Sequence, residues 1–397
     1  MPTLRDFFLG PWRAVLVLGV TEILAWGTLF YPPVLMVPLI AADHGWSAAF
    51  SMGGFSLGLL VAGLISPRIG AAIDRLGGHR VMPIGSLLGA VGLVALVHAD
   101  HPLAYLAVWT VLGAAMAASL YDPAFATLGR IFGGGARPAI TALTLAGGFA
   151  STVSWPMTHL LIGAVGWRAT YLIYAALLAF IAAPLHAFVL PRARAAPDVR
   201  RLDSTASPAA VLPAKGLAFA LVATAFAAYA FVPSGLAAHL LAIFQRFGLD
   251  PTTVVVIGAL FGPAQVAARL IEFIFARHVH PLAIARFAVG VMVFAFAMLA
   301  ALGLSMPVAA AFAVMFGAAN GLLTIARGTL PLALFGAAGY GRLIGRIAGP
   351  YLIIQAVAPL VLAFAAERGS DAVALAMTAG FAVVALACLV LIRRPGA

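Results

Sequence analysis

Glu22, Asp122, His159, His239, Arg269, Glu272 and Arg327 stand inside long apolar runs of this chain. An ionisable group among lipid-soluble residues is expensive, so each is a functional candidate. Gln265, Arg269 and Glu272 follow one another at spacings of four and three, which places them on one helical face. A guanidinium is always charged and offers a planar fork suited to a carboxylate, so Arg269 is a candidate anion contact. The competing reading is a local ion pair in which Glu272 neutralises it. Glu272 is then that clamp or a proton carrier, and the clamp is favoured. Asn320, Thr324 and Arg327 recur at i, i+4 and i+7, again one polar face. With Gln355 they complete a candidate substrate set.

Glu22 precedes Trp26 by one turn. A carboxyl in an apolar helix suits proton coupling, because burial disfavours its charged form; the plainer alternative is a hydrogen-bonded acid that ties helices together. Gly148, Thr152, Trp155 and His159 share a face. His159 is a candidate substrate contact or titrating group, weighed against a packed, hydrogen-bonded ring. Trp26, Trp155 and Tyr351 suit a cavity wall or an interfacial belt equally. Other chemistry is missing from the pattern. No Gly-x-x-x-x-Gly-Lys loop is present, so ATP-driven transport through this chain is not expected. No Cys or His pair has metal-ligand spacing, and nothing suggests a nucleophile, so neither a cofactor nor an enzyme is expected.

The elements that must position these residues follow from composition. The 397 residues are 64% hydrophobic and 9% charged, against about 25% charged in a soluble globular protein. Lipid must be part of the solvent. The net charge of +11 does not indicate a nucleic-acid partner, because the arginines are scattered singly between apolar runs. The one cysteine, Cys388, cannot form an internal disulfide. Arg5 and Arg13 precede an apolar run too long for a signal peptide, which reads as a retained first helix.

Splitting at Gly, Pro and charge clusters yields twelve spans near 12–41, 48–70, 80–98, 102–131, 137–163, 167–189, 215–243, 252–275, 280–303, 307–335, 341–366 and 371–392. Kinks are expected at Pro32-Pro33, Pro123, Pro156 and Pro233. With the N-terminus inside, 18 of the 23 Lys and Arg fall on the cytoplasmic side; Arg168, Arg246 and Arg368 lie outside, Arg269 and Arg327 within spans. This bias places both termini in the cytoplasm. Residues 191–214, with Arg192, Arg194, Arg200 and Arg201, read as a cytoplasmic linker between an N-terminal six-helix bundle, 1–190, and a C-terminal one, 215–397. Leu112-Gly113-Ala-Ala-Met116 and Phe316-Gly317-Ala-Ala-Asn320 echo one another about half a chain apart, which points to duplicated halves.

The ionisable residues fall on spans 1, 4, 5, 7, 8 and 10, and the interiors of spans 3, 6, 9 and 12 are expected to have none. A polar set of helices around a wet cavity and an apolar set facing lipid is the simplest reading. Arg327 lies nearer the cytoplasmic end, so it is read as a second anion contact or as a gate with Asp122 at similar depth. Gly70, Asp74, Arg75, Gly77 and Arg80 form a glycine-rich, charged turn between two spans.

That turn resembles the loop-2/3 signature of the major facilitator superfamily, and the resemblance covers the whole chain. It implies an all-α membrane protein of twelve helices in two pseudo-symmetric bundles, alternating access, and a gating role for the signature. The second-half counterpart departs from the pattern at Ala276-Arg277, where Ala276 replaces the acid. Arg269 resembles the anion-binding arginine of monocarboxylate and oxalate-type carriers. The expectation is a monomeric secondary transporter in a bacterial-type inner membrane. It would move a small organic anion with a proton taken by Glu22, Asp122 or Glu272. The alternative is a proton-coupled efflux carrier for drugs or metabolites.

Overall fold

The computed structural model describes residues 10–192 and 216–393, and they are helical almost throughout. Most of the predicted linker lies outside the described residues. Contacts divide the chain into two compact units, Met1–Ala209 with Gly336–Gly349, and Ala210–Phe335 with Pro350–Ala397.

The first unit contains α1 (Arg13–Ala25), α2 (Pro33–His44), α3 (Ala48–Leu76), α4 (Gly78–Val97), α5 (Pro102–Ser119), α6 (Tyr121–Phe132), α7 (Arg137–Gly148) and α8 (Ala150–Leu177). Wider π-helical turns follow α1 at Trp26–Phe30 and α8 at Leu178–Ala182 and Leu185–Val189. The second contains α9 (Leu217–Arg246), α10 (Pro251–Ala259), α11 (Phe261–Phe275), α12 (Pro281–Leu302), α13 (Met306–Phe335) and α15 (Asp371–Leu391). The helix α14 (Tyr340–Arg368) starts among residues of the first unit and ends among those of the second.

Among the described residues, eleven helical stretches are long and apolar enough to cross a membrane. The longest, Arg137–Val189, has 53 residues. At 1.5 Å per residue that is roughly 80 Å, more than twice the ~30 Å hydrocarbon layer. Gly166 interrupts it with φ 78° and ψ 168°, a backbone that only glycine adopts readily, so the chain turns there. The predicted boundary between 163 and 167 falls on this residue.

The chain responds differently at the four prolines. The chain does break around Pro32-Pro33, where the π turn ends and α2 begins. Near Pro123 the break is displaced to Leu120, which is extended. Through Pro156 and Pro233 the helices α8 and α9 continue. One missing N–H does not end a helix whose neighbours hold it. Pro359 in α14 shows how the loss is made good. Its nitrogen cannot donate to the Gln355 carbonyl, and Ser234 Oγ of α9 donates there instead at 2.8 Å. Ser234→Ala should therefore lower stability by about 1 kcal/mol, read as a small fall in the thermal midpoint of the purified protein.

Both units repeat one packing scheme. In the first, α5 packs on α3 and α4; in the second, α13 packs on α11 and α12. The echoed glycines sit at matching crossings. A Cβ on Gly113 would overlap the Gly58 carbonyl of α3, and one on Gly317 would meet the Phe261 carbonyl of α11 at 2.7 Å. The sequence echo is thus a repeated close helix contact.

Two residues correct the expectation that spans 3, 6, 9 and 12 lack ionisable side chains within. His186 is buried near the end of the sixth span. Arg286, in the second turn of α12, donates to carbonyls at the end of α15, Leu389, Val390 and the following Ile392, at 3.0, 3.1 and 2.6 Å. A guanidinium satisfies orphan C-terminal carbonyls and suits the negative end of a helix.

Candidate functional site

The second unit brings the predicted anion set together. On α11, Arg269 is 4% and Glu272 2% exposed; on α13, Arg327 is 6% exposed. Arg269 Nη2 lies 3.4 Å from Gln265 Oε1 on its own helix and 3.4 Å from Thr324 Oγ1 on α13. Its Nε is 3.4 Å from the Gly321 carbonyl. That approach needs Gly321, whose Cβ would press on the backbone of Gln265. The Thr324 hydroxyl donates to Asn320 O at 2.9 Å, one turn back. Asn320 accepts from the Tyr229 hydroxyl of α9 through Oδ1, which leaves its amide nitrogen as the other polar end. The Arg327 guanidinium stacks 4.3 Å over the Tyr351 ring of α14, and Tyr351 lies 6.3 Å from Tyr229. Stacking engages the guanidinium face and orients its in-plane donors. Gln355 is half-buried one turn beyond Tyr351.

Sequence reasoning missed Tyr229, because an isolated tyrosine in an alanine-rich helix carries no periodic signal. Among the described residues of this unit, the buried ionisable side chains of α11 and α13 are Arg269, Glu272 and Arg327.

The first unit holds a different group. Glu22 is fully buried, and Trp26 Nε1 donates to its Oε2 at 2.9 Å. Trp26 begins the π turn, and its ring lies 5.1 Å from Tyr121 of α6 and 5.8 Å from Tyr31. Trp155 of α8 reaches Tyr31 at 6.3 Å, and Ser154 donates to the Gly27 carbonyl at 3.0 Å. π-helical turns gather at functional positions because they widen the helix and redirect side chains. His159 is placed differently from the expectation of a packed ring. It is exposed on α8 and makes no hydrogen bond or ion pair among the described residues. Asp122 opens the first turn of α6 and lines a narrow gap with Ser66, Gly70, Ile344 and Gly345.

The signature Gly70–Arg80 is shorter as a turn than expected. Residues Gly70–Leu76 complete α3 and Gly78–Arg80 begin α4, so Gly77, at φ 84°, makes the turn alone. The Asp74 carboxylate pairs with neither Arg75 nor Arg80, both exposed. Instead its two oxygens accept from Gly341 N–H at 2.8 Å and Arg342 N–H at 2.7 Å, in the first turn of α14. A carboxylate satisfies orphan donors there and meets the positive end of the helix. Arg130 of α6, absent from the expected set, donates to the Asp74 carbonyl. Glycines make the approach possible: Gly341, Gly345 and Gly349 present backbone to Gly70, Ser66 and Gly63 of α3. Asp74→Asn removes one acceptor and the charge, and should lower transport activity and cost about 1–2 kcal/mol of stability. Flux and thermal unfolding of the same preparation check it.

Long apolar helices with ionisable side chains buried within each unit define an integral membrane protein with functional groups inside its helices. A family model, Major Facilitator Superfamily, matches residues 16–348, and the chain belongs to that family. Among solved structures the chain is similar to the human organic anion transporter MFSD10 (TETRAN), at TM-score 0.71 and 18% identity over 98% of this chain and 100% of that one. No curated protein sequence matches the chain significantly.

Proposed function

We propose that this protein is a proton-coupled secondary transporter of a small organic anion, such as a monocarboxylate. The observation that carries the reading is the gathering of two buried guanidiniums, Arg269 and Arg327, with the polar groups of Gln265, Asn320 and Thr324 on α11 and α13 of the second unit. A buried guanidinium within a membrane protein is costly and marks a functional position, and its planar fork suits a carboxylate. Arg269 and Arg327 bind the carboxylate, with Asn320, Thr324, Gln355, Trp26 and His159 as further substrate contacts. Glu22 carries the proton, with Asp122 and Glu272 as the other acids of the set; its full burial favours it. The structural relative's description as an organic anion transporter agrees with this substrate class.

The architecture proposed is twelve spans in two six-helix bundles, 1–190 and 215–397, joined by a cytoplasmic linker, 191–214. The turn at Gly166 within the 53-residue stretch supports reading it as two crossings. The monomeric chain works by alternating access in a bacterial-type inner membrane with both termini cytoplasmic. Asp74 and the signature glycines gate it, and Asp122 with Arg327 is the second proposed gate.

The test is flux. Purified protein in liposomes should accumulate labelled small carboxylates under an imposed pH gradient, and a protonophore should abolish the accumulation. Transport of a lipophilic cation with no response to carboxylates would overturn the reading in favour of a drug efflux carrier.

A further inference from the structure

His186 lies in the π-helical turn Leu185–Val189, immediately after Pro184. Its ring is 1% exposed, as are Thr21 of α1 and Ser86 of α4 on either side. Nε2 is 2.8 Å from Thr21 Oγ1, and Nδ1 is 3.2 Å from Ser86 Oγ. Counting protons assigns the donors. The Thr21 hydroxyl donates its one hydrogen to Val17 O at 3.0 Å, with Leu18 O at 3.3 Å. Thr21 Oγ1 therefore accepts from the ring, so Nε2 carries the hydrogen, and Nδ1 accepts from Ser86. One hydrogen per group satisfies all three. No charged side chain belongs to the thread.

Three apolar residues would fill this space without the cost of burying polar groups. A satisfied polar thread across three elements instead specifies one arrangement of them. Its anchor on α1 is the informative end. Leu18 O, which shares the Thr21 proton, is also the helical acceptor for the Glu22 N–H. At the following turn α1 changes to π geometry, where the Trp26 N–H reaches both Glu22 O and Ile23 O. Glu22 is thus held between a turn pinned by His186 and a turn where the helix widens.

We propose that the Ser86–His186–Thr21 thread is a positioning device for Glu22, setting the rotation of α1 and with it the surroundings of that carboxyl. This rests on the reading of Glu22 as the proton-coupling residue. The titratable side chains brought toward the Glu22–Trp26 pair are Tyr31 and, from α6, Tyr121 with its neighbour Asp122. His186 acts through Thr21 and does not itself exchange the transported proton.

Infrared difference spectroscopy on reconstituted protein reads the effect directly, with the Glu22 carboxyl band assigned by its loss in Glu22→Gln. His186→Leu should shift that band and move the pH at half-maximal flux by the order of half a unit. His186→Gln can donate to Thr21 and accept from Ser86, and should restore both. Thr21→Val keeps the side-chain shape but removes the acceptor, and should reproduce the leucine shift. An unchanged Glu22 band in both His186→Leu and Thr21→Val overturns the proposal. If Glu22→Gln leaves proton-driven flux intact, the coupling role of Glu22 fails separately, and the band still decides the thread.

Discussion

Arg269→Ala is expected to reduce organic-anion flux by about a hundredfold or more while the protein stays folded. The guanidinium is buried at the contact of α11 with α13, where Gln265 Oε1, Thr324 Oγ1 and Gly321 O are acceptors at 3.4 Å. At that length they orient the group and bind it weakly. A bound carboxylate would make charge-assisted bonds to the fork, each worth about 1.5–3 kcal/mol. Two such bonds lost correspond to at least a hundredfold, at 1.4 kcal/mol per tenfold. Arg269→Lys keeps the charge but loses the planar fork, so it should recover part of the flux at a raised KM. Initial rates over a range of substrate concentrations, beside a thermal midpoint for each variant, separate binding from folding. Wild-type flux in Arg269→Ala would remove the arginine from the site.

Gly70→Ala is the second large effect, a single methyl group that should cost both stability and transport. Its Cβ would overlap the Gly341 carbonyl. Both partners are backbone, so no rotamer change relieves the overlap and α3 and α14 must separate. Overpacking of this kind costs about 1–3 kcal/mol. The same movement stretches the Asp74 bonds to Gly341 and Arg342, now 2.8 and 2.7 Å, each worth about 1 kcal/mol. Gly163→Ala is the control. It lies in α8 with nothing within 4 Å of an added Cβ, so it should be neutral or slightly stabilising. Equal thermal midpoints for the two variants would show that the close approach is not required.

The two polar faces were legible because helical periodicity is a one-dimensional rule: Gln265, Arg269 and Glu272, or Asn320, Thr324 and Arg327, must share a face. That α11 lies against α13, so that Arg269 meets Thr324, needed coordinates. The glycine repeat Gly341-x-x-x-Gly345-x-x-x-Gly349 was present in the chain and would have marked a close helix crossing. The partner, Gly70 of α3, could not be read, since nothing in spacing says which distant helix fills such a groove. His186 was missed for a related reason. One histidine near the end of an apolar run has no periodic companion, and its partners Thr21 and Ser86 are 165 and 100 residues away.

What the sequence alone determined was the solvent and the class. Sixty-four per cent hydrophobic residues in runs of membrane length leave only helices that satisfy their own backbone. The Gly70–Arg80 signature and the isolated charges then pointed to a carrier. Tertiary structure decided which polar groups meet. Asp74 belongs to the start of α14 and not to its neighbouring arginines, and Glu22 is tied to Trp26 and flanked by a buried histidine thread. The physical reason is range. Hydropathy and periodicity act within a helix, whereas hydrogen bonds and close packing between helices are set by the third dimension.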